Sequence, residues 1–373
     1  MKLSQRKWKT LVSGVLLTIS ASSMLAMPTF AADYSNGLTG VVNDDKPIIS
    51  AGGSTVTQSG DTITYDFQGK DHIFNVKNAD AITTDGTKDY NYVYNNVDGT
   101  GKKGTLHLYQ SNGRPNAWDG VTGFVATGGK VIVNSNLDIT ATSKCASAGI
   151  TAANKADLII NGNVKMRKDN LESPWGIITD NVHGNFGPGS TTSSGDGKDY
   201  TGARWNPTGI SITGGQADIT VNGDVDLAVR GTAVKTDPYG SVEGVNPHDL
   251  ATISLLGKST RIDTPYREKN FVEGFVEFIE PYYSLASYGG TINVNVKNLE
   301  AQSGKVEMVG NVLAMKASDE AKNAMAYQNG CLNIGLTTQD SSWKGIIDNA
   351  GAEKAGEVNL WLQNGAQWIY ENA

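Results

Sequence analysis

Residues 217–229 read Ala-Asp-Ile-Thr-Val-Asn-Gly-Asp-Val-Asp-Leu-Ala-Val. Every second position is apolar or glycine: Ile219, Val221, Gly223, Val225, Leu227 and Val229. The positions between them are Asp218, Thr220, Asn222, Asp224 and Asp226. A period of two marks a strand with one face buried and one face wet. The phrase returns in phase as Leu158, Ile160, Gly162, Val164, Met166, and as Val131, Val133, Ser135, Leu137, Ile139. Val306, Met308, Gly310, Val312 reads as a fourth copy, and Thr252 to Gly257 as a weaker one.

Asn-Gly inside such a phrase is ordinarily a hairpin signal. The phase argues against a hairpin here. A two-residue turn sets Val221 opposite Asp224 and Ile219 opposite Asp226. Cross-strand neighbours share a face, so both faces would mix apolar and charged residues. A chain that bends at Asn-Gly without folding back keeps the apolar set on one side. Repeated coils then stack, and their apolar positions fill a common interior. The spacing predicts an all-β fold, a parallel β-helix with loop insertions.

The Gly or Ser135 position steps by 27 residues from 135 to 162, 61 to 223, 34 to 257 and 53 to 310. Steps of 27 and 34 suit one coil; the longer ones suit two coils, or one coil plus an insertion. Thr291-Ile-Asn-Val-Asn-Val reads as an intermediate strand, and Leu360, Leu362, Ala366, Trp368, Tyr370 as a final alternating segment.

Residues 1–32 read as an export signal. Lys2, Arg6, Lys7 and Lys9 form a basic head, Leu11 to Ile19 a short apolar core, and cleavage is expected near Ala31 or Ala32. The apolar run is short and broken by Ser13, Gly14 and Thr18, which disfavours a membrane anchor, and no later segment suits a spanning helix. Removing those four basic residues leaves 38 acidic against 27 basic, a net charge of −11. A chain this acidic is not built for nucleic acid or anionic membranes.

Residues 33–125 are expected to supply the first coils and an N-terminal cap, through Thr62 to Phe67, His72 to Val76 and Thr105 to Tyr109. Residues 126–373 carry the regular coils, with insertions expected at 167–208, 235–249 and 263–285. The first contains the Gly- and Ser-rich run 184–197 and reads as a long loop leaving a corner of the coil. The third reads as a short helix or irregular strand.

Parallel β-helices often carry polysaccharide lyases and hydrolases, which need clustered carboxylates or a Ca2+ site with a Lys or Arg base. Asp180 with His183, and the acids Glu273, Glu277 and Glu280, are the candidates, and both sets read better as solvated or structural. His72 and His107 fall within strand patterns and read as packing or surface residues; His248 falls in a loop. Loop acids at Asn43-Asp44-Asp45 and at Asp196 and Asp199 are weak metal signals. No His-Glu-x-x-His, G-x-S-x-G, Walker or nonapeptide Ca2+ pattern occurs, and Cys145 and Cys331 are too few for a zinc cluster. No catalytic, metal or cofactor residue is therefore assigned. An enzyme on this scaffold should instead show carboxylates, or a carboxylate with Lys or Arg, converging in a groove on one face.

The signal, the coil phrases and the closing Gly356-Glu-Val-Asn-Leu-Trp-Leu-Gln-Asn-Gly-Ala-Gln-Trp together resemble the passenger of a bacterial autotransporter. Gly202 to Ser211, Asp249 to Gly257 and Leu285 to Thr291 are similar to the same family. The resemblance implies a right-handed β-helix displayed on, or secreted from, a diderm bacterium. Its implied role is adhesion or a stalk, with host or matrix ligands or polysaccharide as partners. It also implies a translocating outer-membrane barrel, downstream or in trans, which this sequence lacks. The alternative is a polysaccharide-active lyase or glycoside hydrolase.

Two expectations concern geometry. Cys145 and Cys331 should lie roughly seven coils apart, about 30 Å, too far for a disulfide. Val358 to Tyr370 should form a last coil whose edge nothing in this sequence covers.

Overall fold

A computed structural model of the chain describes residues 54–77, 79–84, 90–112, 122–143, 148–166, 177–179, 208–213, 216–229, 231–238, 250–264, 283–315, 330–348 and 356–371. The strands stack into three long sheets, so the solenoid has three faces. The first coil shows the pattern: Thr62–Asp66 on the first face, His72–Lys77 on the second, Ile82–Thr83 on the third. Eight coils are complete, and Glu357–Leu362 with Gln367–Ile369 begin a ninth. Every ladder along the three faces is parallel, except where Thr55–Ser59 folds back on Thr62–Asp66 at the first edge. This is the parallel β-helix that the period-two phrase demands.

The central phrase behaves as its phase requires. Ala217–Val221 lies on the first face and Val225–Ala228 on the second, and they do not pair with each other. Ile219 stacks between Leu158 and Ile253, and Val221 between Ile160 and Leu255. Leu227 stacks between Met166 and Ile262. All of these are fully or almost fully buried. Each such side chain contributes roughly 1.5–3 kcal/mol on leaving water. The third face adds its own column: Phe124, Ile150, Ile210, Val234, Leu285 and Val312.

Between the first and second faces the coils nearly touch. A β-carbon on Gly223 would strike the carbonyl of Gly162, and one on Gly257 the carbonyl of Gly223. Gly304 continues this column onto Gly257. The fourth copy of the phrase therefore needs correction. Val306 and Met308 pair with Thr260 and Ile262 on the second face, so they match Val225 and Leu227, not Ile219 and Val221. Gly310 stands one corner further on. The mistake arose because both corners are flanked by the same apolar alternation.

Two of these corners are longer, and an asparagine plugs each. Asn96 donates to the carbonyl of Lys70 at 2.8 Å. Asn295, held at φ 55°, donates to the carbonyls of Gln302 and Gly335, both at 2.9 Å, while its Oδ1 accepts from the N–H of Gly304. Short polar side chains tolerate this left-handed conformation best.

In every coil the link from first to second face lies wholly within the described residues. The longer departures join the second face to the third or the third back to the first, except that residues 167–176 lie between two strands of the second face, Val164–Met166 and Ile177–Thr179. The expected insertions shrink accordingly. Ile177–Thr179, placed in a loop by the sequence, pairs in parallel with Ala141, Thr142 and Ser143 on the second face. Lys235 and Asp237 belong to the fully buried strand Thr232–Asp237, so the second excursion begins after them. Asp263 closes one strand and Tyr283 opens another, which trims the third. Residues 167–176, 180–207, 239–249 and 265–282, the expected signal and residues 33–53 lie outside the described residues.

Candidate functional site

The second face is built from strands whose inward positions are mostly apolar, with Gln110 and Thr260 among the buried polar exceptions, and whose outward positions are mostly polar. In Thr105–Asn112 Leu106, Leu108 and Gln110 are buried, so His107 and Tyr109 point outward. Asn136–Ser143 buries Leu137 and Ile139 and turns Asp138 out. Parallel register then sets His107 beside Asp138, Asp138 beside Lys165, Lys165 beside Asp226, Asp226 beside Arg261 and Arg261 beside Glu307. One residue per coil, the row alternates in sign across six coils.

At its start the row makes a direct side-chain contact. His107 Nδ1 lies 3.0 Å from Asp138 Oδ2, and the Tyr109 hydroxyl is 3.4 Å from the same nitrogen. The hydrogen bond to Asp138 raises the imidazole pKa above its ordinary value, against the opposing pull of burial. Burial, then the charge of Asp138, raises the Tyr109 phenol too.

Beside this row runs a staircase of side-chain to backbone bonds. Asn136 Oδ1 accepts from the N–H of Asn163 at 3.0 Å, Asn163 Oδ1 from Asp224 at 2.9 Å, and Asp224 Oδ1 from Ser259 at 2.9 Å. Between row and staircase lies an open depression of about 310 Å³, whose rim includes Lys165, Asp224, Asp226, Arg261 and Glu307. The carboxylates and cations that an enzyme would gather in a groove are thus present on one face.

The other polar groups are differently placed. On the third face Lys235 Nζ lies 3.2 Å from Asp237 Oδ2 and 5.3 Å from the centre of the Tyr288 ring, with both ionic side chains buried. Tyr283 donates to Asp348 at 2.7 Å nearby. His72 is a packing residue: it is buried, its Nε2 lies 3.1 Å from the carbonyl of Phe67, and its ring meets Phe67 edge-on. Cys331 is buried, and burial, then the charge of Glu357, pushes its thiol up to about 11. Such a thiol is no nucleophile at neutral pH.

Asp180, His183, His248, Glu273, Glu277, Glu280 and Cys145 lie outside the described residues, as do the loop acids at 43–45, 196 and 199. Among the described residues no three His, Cys, Asp or Glu side chains are grouped to hold a metal ion. Nor is any described helix long and apolar enough to cross a membrane. Compared with known proteins, the chain matches no family model, no curated protein and no solved structure.

Sequence reasoning treated His107 alone and missed the row. The signal was available. In the aligned copies Leu-Asp-Ile, Val-Lys-Met and Val-Asp-Leu, the middle residue alternates in sign from coil to coil.

Proposed function

We propose that this chain is an exported β-helical protein of the autotransporter-passenger kind, working at a cell surface by contact rather than catalysis, as an adhesin or stalk. The carrying observation is the second face: a long parallel sheet with one ionisable side chain in line at every coil from His107 to Glu307. Solenoids use such extended surfaces for binding. Ligands on this reading are host or matrix surfaces or polysaccharide, and a membrane barrel, downstream or in trans, carries the chain outward. The export-signal pattern of residues 1–32 supports the route.

A polysaccharide-active enzyme is the second reading, favoured by the depression that gathers Asp224, Asp226, Lys165 and Arg261. Its weakness is chemical. Asp224 Oδ1 already accepts a backbone N–H, and each charge of the row has opposite charges on the neighbouring coils.

Two measurements decide between them. Protease added to intact cells producing the chain together with a translocating barrel should degrade it, and export should fail when residues 1–32 are removed. Purified protein should release no reducing ends or unsaturated products from pectin, chitin or peptidoglycan. Turnover abolished by Asp226→Asn would establish the enzyme instead.

A further inference from the structure

The order of charges along the second face carries information beyond their presence. From the second coil to the seventh it runs His107, Asp138, Lys165, Asp226, Arg261, Glu307. We propose that this face is an interface between two copies of the chain, laid face to face with their solenoid axes antiparallel. The inference goes beyond contact with a foreign surface and does not depend on export.

The argument is one of symmetry. A two-fold axis parallel to the strands, midway between Lys165 and Asp226, sets His107 against Glu307, Asp138 against Arg261, and Lys165 against Asp226. Every facing pair is opposite in charge, and each pair occurs twice because the contact is isologous. Sliding one copy by a single coil puts Asp138 against Glu307 and Lys165 against Arg261, like against like. A parallel arrangement sets every residue against itself. Among two-fold contacts the antiparallel orientation is therefore selected; a slide by one coil is penalised, and a slide by two keeps opposite charges facing but only two of the three kinds of pair, so the central register makes the most contacts.

The adjacent outward column obeys the same operation. Its residues are Thr105, Asn136, Asn163, Asp224, Ser259 and Lys305. The axis brings Thr105 to Lys305, Asn136 to Ser259 and Asn163 to Asp224, with no like charges opposed. On the other side, among the described residues, Tyr109 meets Val309 and Thr140 meets Asp263, with no like charges opposed.

Size sets the strength. Six coils at about 4.8 Å and five residues at about 3.3 Å give a patch of roughly 480 Å². That is about half of what each partner contributes to a standard stable interface. The association is therefore weak, salt-sensitive and favoured at high local concentration. The same alternation neutralises the row within one chain, as in the His107–Asp138 pair, so the net gain is small and is greatest in the central register, where all six positions are paired.

The test is sedimentation velocity on the purified chain near pH 6, where His107 is charged, up to roughly 200 μM, in about 20 mM and about 500 mM salt. Reversible dimerisation is expected in low salt and should be lost in high salt. Asp138→Arg or Arg261→Asp alone should weaken it at least about fivefold. The two together should restore it to within about twofold, because the axis sets these positions opposite each other. The double variant places like charges side by side within each chain, so rescue cannot come from repaired intrachain pairs. Melting curves confirm that each variant is folded. A monomer at all concentrations, dimerisation indifferent to these changes, or a double variant as weak as the singles would overturn the proposal. So would a monomer that instead retains a charged polysaccharide through Asp138 and Arg261.

Discussion

The side-chain amide of Asn222 donates to Oδ1 of Asn161 over 2.8 Å, although the two are 61 positions apart in the chain. Asn161 in turn donates to Asn134 over 2.8 Å, at a separation of 27. One coil of helix thus separates both pairs, whatever length of chain is spent between them. Replacing Asn161 with Ala should break two rungs at a surface corner. Denaturant unfolding should show a loss of about 1–2 kcal/mol; no change would mean that water replaces the rungs.

Gly223→Ala tests the close approach of coils more severely. The added methyl group meets the carbonyl carbon and oxygen of Gly162, which are backbone and cannot swing aside. A destabilisation of about 2–4 kcal/mol is expected, with Gly60→Ala near Ser59 as a control in open space at positive φ. Equal effects at both sites would show that backbone conformation, not coil contact, governs the corner.

Val221→Asp places a carboxylate among Ile160, Leu255 and the rest of the core, where Val221 itself has no exposure. A loss of several kcal/mol is expected, roughly 3–5, enough to unfold a marginal chain. Thr220→Asp, on the outward side of the same strand, should fall within about 0.5 kcal/mol. Reversal of that order would put the wrong face of the strand inside.

The His107–Asp138 pair makes a pH prediction. Its imidazole pKa is raised in the folded chain, chiefly by the Asp138 hydrogen bond. The stabilisation is therefore complete below the unfolded value of about 6.5 and is lost as pH rises through the folded value. Both side chains are about a quarter exposed, which limits the effect to less than about 1 kcal/mol. Proton NMR should show His107 titrating above the ordinary histidine range, and Asp138→Asn should bring it down. A midpoint unmoved by Asp138→Asn would remove Asp138 as the cause.

The thiols provide a check on coil order. Strands Asn136–Ser143 and Ala148–Ala153, either side of Cys145 in sequence, belong to the third coil; Cys331 lies in the eighth. The count between coils is five, not the seven expected from sequence, or about 24 Å at 4.8 Å per coil. A disulfide requires Cα atoms within about 7 Å. Non-reducing mass spectrometry of folded protein should find no internal bridge, and Cys331 should resist alkylation until the chain unfolds. An intramolecular Cys145–Cys331 bridge would contradict the stacking order.

At the far edge, Leu362 lies in register on buried Leu336 yet remains 49% exposed, and Tyr370 is 69% exposed. The inward phase expected for Leu360, Leu362 and Trp368 holds, with Trp368 stacked on Trp343 at 5.0 Å. No described coil lies beyond them.

The sequence by itself determined the strand period, the inward residues of the clean copies and the refusal of Asn-Gly to form a hairpin. These follow from local alternation: Ile219, Val221, Val225 and Leu227 can share one side only if the chain bends without returning. What only the tertiary structure decided was which copies lie above one another. Val306 carries the same local pattern as Ile219 but stacks on Thr260, because the hairpin Val296–Lys297 with Glu300–Ala301 lengthens the corner before it. The same holds for the charged row. Asp138, Lys165, Asp226, Arg261 and Glu307 are ordinary wet positions in sequence, scattered over 170 residues counted inclusively from 138 to 307. Their alternation in sign becomes an interaction only when parallel pairing sets them side by side. Register is a property of the stacked coils, and no single strand contains it.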